Sequence, residues 1–136
     1  MVTFYTDLTD LCQNINMIQF SLKLIDAKFS PIVRSNGILC VSFLSYNEKF
    51  LKELVALGIL DTILDLCNDP KCDILVKQFA TQALVHFALS EHAISLLLEK
   101  GIMELLCNLK SFDNVVIHTN ISWIFVALCN NGITGK

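Results

Sequence analysis

The chain has 136 residues, of which 54% are hydrophobic and only 17% charged, against about 25% charged in an ordinary soluble domain. The formal net charge of −3 is small and spread along the chain, which excludes the basic footprint that nucleic-acid binding needs. No uninterrupted apolar run approaches the length of a membrane span, so the greasy composition points to a large core or to apolar surface that another molecule covers.

The opening stretch, MVTFYTDLTDLCQN, has neither a basic n-region nor a long apolar h-region and reads as no secretory signal. Residues Thr3 to Cys12 are expected to form a worn first helix. NMIQFSLKLIDAK follows, with Met17, Ile18, Phe20, Leu22, Leu24 and Ile25 as its apolar positions. Ser30-Pro31 then gives a start signal, an N-cap followed by proline at N1, and predicts a helix to about Leu44.

The next elements repeat. LVALGILDTILDLC (Leu54 to Cys67) and LLEKGIMELLCNLK (Leu97 to Lys110) align with Gly58 against Gly101, 43 residues apart. Leu54 meets Leu97, Ile59 meets Ile102 and Leu66 meets Leu109; with one further residue in the later loop, Ala83-Leu84 meets Ala127-Leu128. Each copy reads as three helices. Glu48 to Leu57, Ile59 to Cys67 and Pro70 to Leu89 make one set; Glu91 to Lys100, Ile102 to Lys110 and Asn114 to Asn130 make the next. The glycines are expected where the backbone turns. Asp69 before Pro70, and Asp113 in the matching place, are expected N-caps. Asn131-Gly132 is expected to be a C-cap. Ala80 with Ala83, and Gly37 with Cys40, give small residues at helical spacing for close packing.

A unit of about 43 residues cannot bury all its apolar faces alone, and stacking neighbours makes one continuous core. The expected fold class is therefore all-α. The expected organisation is a right-handed α-solenoid of about three three-helix units: a degenerate 1–45, then 46–89, then 90–136 with a short tail.

LVALGILDTILDL, LLEKGIMELLCNL, FATQALVHFALS and ISWIFVALCNNG resemble the armadillo-repeat family, clearly over about 47–131 and faintly before it. The resemblance implies that third helices line a concave groove for an extended peptide or a helix of a partner. The family's groove asparagine falls at Phe43, His86 and Asn130 here, and its groove tryptophan at Leu39, Gln82 and Val126. Only Asn130 keeps the family residue, which argues against a nuclear-import type of adaptor binding basic cargo; that reading is kept as a remote alternative.

The expected groove residues at i, i+4 spacing are Ser35, Leu39 and Phe43; Gln78, Gln82 and His86; and Ser122, Val126 and Asn130. Trp123 and Phe125 are assigned to an apolar C-terminal end. Together with Phe112 they are read as packing residues rather than as a platform for bases. The last helix is apolar nearly all round and wants burial on more than one face, which predicts contact with another subunit, a second copy or further repeats.

His86, His92 and His118 form no metal-ligand spacing, and no cysteine–histidine pair is singled out as a nucleophile. No catalytic, cofactor or metal residue is assigned. The NIS sequon at Asn120 lies inside an expected helix and is read as unmodified. The six cysteines contain no CxxC pair and suit a reduced, intracellular protein. The expectation is a non-catalytic interaction module, scaffold or adaptor of the cytoplasm or nucleus. Its partner is another protein, with self-association through the last repeat as a further possibility. A structural subunit without a regulated groove is the alternative.

Overall fold

The computed structural model describes residues 16–133, with side chains through 130. Among them are eight α-helices and no strand: α1 Met17–Leu24, α2 Pro31–Leu44, α3 Glu48–Ala56, α4 Ile59–Asn68, α5 Ile74–Ala88, α6 Glu91–Glu99, α7 Ile102–Leu109 and α8 Val115–Ala127. A wider π-helical segment, Leu128–Ile133, continues α8. The all-α expectation is correct. The worn helix expected at Thr3 to Cys12 lies outside the described residues.

Local chemistry sets the boundaries. The Ser30 hydroxyl accepts from Val33 N–H and Pro31 occupies N1 of α2. Asn47 and Ser90 cap α3 and α6 through their side-chain oxygens. Gly58 and Gly101 adopt φ of +89° and +90°, the left-handed conformation that ends one helix and aims the next.

Three sequence expectations are corrected. α5 starts at Ile74, not Pro70, because Asp69-Pro70 builds a turn instead. There Cys72 N–H donates to the Asp69 carbonyl and Lys71 N–H to the Asp69 carboxylate, the Asx chemistry that competes with helix initiation. Asp73 supplies the cap, accepting from Leu75 N–H at 2.8 Å. Asn114 rather than Asp113 caps α8, accepting from Ile117 N–H at 2.9 Å. At the far end, Asn131-Gly132 does not stop the helix, because the backbone runs on as the π-helical segment.

The packing follows from the apolar faces. α5 lies between α2 and α8, α4 packs on α5 and α7, and α1 packs on α2. Leu54, Ile59, Ile63, Leu84, Leu97 and Ile102 are all fully buried in one continuous core. Ala80 and Ala83, with no exposure, let α5 approach its neighbours. Gly37 allows the closest approach, since a Cβ there would stand 2.8 Å from Leu24 Cβ and 3.0 Å from the Ser21 carbonyl of α1.

Polar groups tie the helices together. Arg34 Nε donates to the Ile25 carbonyl at 2.9 Å, just past the end of α1. Lys77, 43 residues later, is 1% exposed, and its Nζ donates to the carbonyls of Cys67 and Asp69 at 2.8 and 2.9 Å, at the end of α4. Both cations thus satisfy orphan carbonyls at the negative end of a helix dipole. Ile121 stands 44 residues beyond Lys77, and there His118 takes over. Its Nε2 lies 3.2 Å from the Lys110 carbonyl after α7; a carbonyl only accepts, so this nitrogen carries the proton.

Candidate protein-binding surface

The surface is built from the exposed sides of α2, α5 and α8 and the turn after α2. Phe43, near the end of α2, is 64% exposed, and Tyr46 in the following turn is 62% exposed. Their ring centroids are 6.4 Å apart. Tyr46 in turn meets the His86 ring of α5 edge-on, at 4.8 Å and 80°, a favoured aromatic geometry. Phe43, Tyr46 and His86 therefore form one aromatic run across the α2–α5 junction. Beside it opens a shallow cleft of about 170 Å³ lined by Ser45, Tyr46, Leu51, His86, Leu89 and Ser90.

The histidine in this run is electrically quiet. Burial lowers the tendency of His86 to take up a proton, and its Nδ1 is enclosed without a hydrogen-bond partner in the structure. At neutral pH the ring is an uncharged, flat surface with one unused polar atom.

The sequence-assigned residues divide clearly. Phe43 and His86 come together through Tyr46, and Gln82 is exposed one turn before His86 on α5. Leu39 is half-buried on α2. Ser35 is corrected: at 2% exposure it faces the packed side of α2 and cannot line an open groove. Gln78 is half-buried, and its backbone carbonyl accepts from Thr81 Oγ1 and Asn120 Nδ2. Ser122 is exposed, but its hydroxyl donates to the His118 carbonyl of its own helix. Val126 is exposed, as is Asn130. Asn130 lies in the π-helical segment, where the wider turn takes it out of α-helical register with Val126.

Trp123 and Phe125 are 59% and 48% exposed. As an apolar C-terminal surface they match expectation; as core residues they do not. α8 is apolar nearly all round and α5 covers only one side of it. Phe112, by contrast, packs inward, with Lys77 Nζ 4.7 Å from its centroid. Asn120, the residue of the sequon, donates to the Gln78 carbonyl at 3.2 Å and to Thr81 Oγ1 at 2.9 Å. Its amide is spent on joining α8 to α5.

Sequence reasoning missed Tyr46, Lys77, Arg34 and Asn120. Tyr46 was discoverable as the i+3 aromatic partner of Phe43. Lys77 and Arg34 were discoverable from their shared spacing. Asn120 carried no signal, since a polar residue mid-helix usually faces water.

Comparison of the chain with protein-family models, with curated proteins and with solved structures finds no match.

Proposed function

We propose that this chain is a non-catalytic protein–protein interaction module, an armadillo-type right-handed solenoid of three units that holds a partner's peptide or helix across its third helices. The solenoid reading is supported by two equivalences at a spacing of 43: Gly58 with Gly101 in left-handed conformation, and Arg34 with Lys77 on carbonyls at the end of the preceding helix. The order of packing, α2 on α5 and α5 on α8, suits units stacked in sequence.

The binding reading rests on the run of Phe43, Tyr46 and His86. Two large aromatic side chains left mostly open, beside a cleft with hydroxyls at Ser45 and Ser90, offer the anchors and polar contacts that peptide recognition uses. Gln82 supplies an amide to meet a partner's backbone. The groove here is aromatic rather than acidic, and its natural partner is an apolar or aromatic segment rather than a basic one.

Cys67 is unsuited to act as a cysteine–histidine nucleophile. The Cys67 thiol is pushed up to about 12 by burial, so the nucleophilic thiolate is scarce there. We infer a reducing intracellular setting, cytoplasmic or nuclear, from the cysteine usage.

The test is affinity capture from cell extract with the wild type and with a Tyr46→Ala/His86→Ala double variant, identified by mass spectrometry. Helicity is compared by circular dichroism. A partner lost only by the variant, with helicity equal, supports the groove. A partner held equally by both overturns it and favours a structural subunit that contacts its neighbours elsewhere.

A further inference from the structure

The side of the molecule formed by α7 and α8 repeats, uncovered, a junction that is covered inside the chain. At the inner junction the α4–α5 layer meets α7, α8 and the loop between them. Leu64 and Thr81 are buried there, and Thr81 takes the Asn120 amide of α8. Asp61 accepts the Lys100 ammonium at 2.9 Å. The ring of Phe112 closes over Lys77, whose ammonium sits on the Cys67 carbonyl.

The corresponding positions one unit later keep this pattern without its cover. Cys107 stands at the position of Leu64 and is exposed; Phe125 stands at that of Thr81 and is half-exposed. Glu104 retains the carboxylate of Asp61, exposed. Lys110 and Ile121 correspond to Cys67 and Lys77. Together with His118 and Ser122 these two line an open pocket of about 200 Å³. This is the counterpart of the place that Phe112 fills at the inner junction.

We propose that this face pairs with the same face of a second copy of the chain, Phe125 of each copy entering the other's pocket between Lys110, His118, Ile121 and Ser122. The chain itself presents, beside the pocket, an exposed ring of the kind that fills the inner counterpart. Phe125 lies one helical turn from Ile121 and Ser122, so pocket and ring share one stripe of α8. The rim carries both signs at opposite ends of α7, Glu104 in its first turn and Lys110 at its C-cap. A two-fold axis brings each patch onto its own copy, setting Glu104 of one copy near Lys110 of the other and leaving the apolar centre dry. The inference rests on the reading of stacked units and is independent of the aromatic groove on α2 and α5.

Sedimentation equilibrium of the full chain, from low micromolar to near-millimolar concentration, tests it. The expected result is a monomer–dimer equilibrium that Phe125→Glu weakens at least about thirtyfold, as loss of a central aromatic anchor does. Phe43→Glu, the same change at a more exposed aromatic on the groove side, is expected to leave dimerisation unchanged. Helicity by circular dichroism accompanies each variant, and Ser122→Arg at the pocket rim repeats the test should Phe125→Glu lose structure. A wild type that stays monomeric throughout, or a dimer insensitive to Phe125→Glu and Ser122→Arg, overturns the proposal. A monomeric chain that still loses its partner in the Tyr46→Ala/His86→Ala variant would leave the groove reading standing.

Discussion

The ammonium of Lys77 lies 4.7 Å from the centroid of the Phe112 ring, while its remaining protons go to the carbonyls of Cys67 and Asp69 at 2.8 and 2.9 Å. One buried cation thereby closes the end of α4 and anchors the loop after α7. Burial of a charge is tolerated only when its hydrogen bonds are made; here two carbonyl oxygens and an aromatic face make them.

Replacing Lys77 by methionine keeps the volume and removes the donors. Two carbonyls at a helix end then lose their partners inside the core. Unsatisfied buried acceptors cost about 1–3 kcal/mol each, although the loss of the charge's own desolvation returns part of this. The expected net destabilisation is about 2–3 kcal/mol, read as a fall in the urea midpoint with unchanged slope. A variant as stable as the wild type would show that the cap contributes nothing.

Gly58→Ala and Gly101→Ala test the turns. Neither glycine has an atom within 4 Å of where a Cβ would sit, so any loss comes from backbone conformation alone. A left-handed alanine costs about 1 kcal/mol, and the two losses should add, as for separated sites. Gly37→Ala fails for another reason. Its Cβ would press on Leu24 Cβ at 2.8 Å, and overpacking of this sort costs about 1–3 kcal/mol. Thermal unfolding of the three variants separates strain from crowding, because Gly58→Ala and Gly101→Ala meet no neighbouring atom while Gly37→Ala presses on Leu24 Cβ and the Ser21 carbonyl.

The cysteines should differ sharply in reactivity. Cys67 is 1% exposed and its thiol is pushed up to about 12; Cys72, half-exposed, is also raised, mainly by desolvation. Cys107 is exposed on α7. Among the described cysteines, iodoacetamide at pH 8 is expected to label Cys107 first and Cys67 only with global unfolding. Peptide mapping of the labelled chain checks the order, and early labelling of Cys67 would contradict its burial.

His86 makes stability pH-dependent in a stated direction. Its folded value lies below the ordinary histidine value of about 6.5 because burial disfavours the charged ring. Between the folded and the unfolded values the unfolded chain therefore binds more protons than the folded one. The stability this ring contributes is complete above about pH 6.5 and is lost as pH falls through the lowered folded value. His86→Gln, which carries no titrating ring, should flatten this part of the profile between wild-type denaturation curves taken at pH 7 and pH 5. An unchanged slope would place the ring in water.

What the sequence by itself determined is the local grammar. Periodic apolar residues, the Ser30-Pro31 start and the two glycines specified the helices from α2 to α8 to within a residue or two at most ends, because capping and left-handed turns are decided by neighbours in the chain. It also chose Phe43 and Gln82, which are exposed, and His86, which is half-buried, and it read α8 as apolar nearly all round. The tertiary structure decided what each polar group is for. Asp69 spends its carboxylate on the turn at Pro70, leaving Asp73 to cap α5. Ser35 is turned inward by the packing of α2. Tyr46 becomes part of the surface only because α5 carries His86 to it. Lys77 and Asn120, polar residues within helices, are drawn inside because carbonyls and a hydroxyl of neighbouring helices await them. Hydrogen-bond demand across helices is a property of the assembled packing, and residues of one helix do not encode it alone.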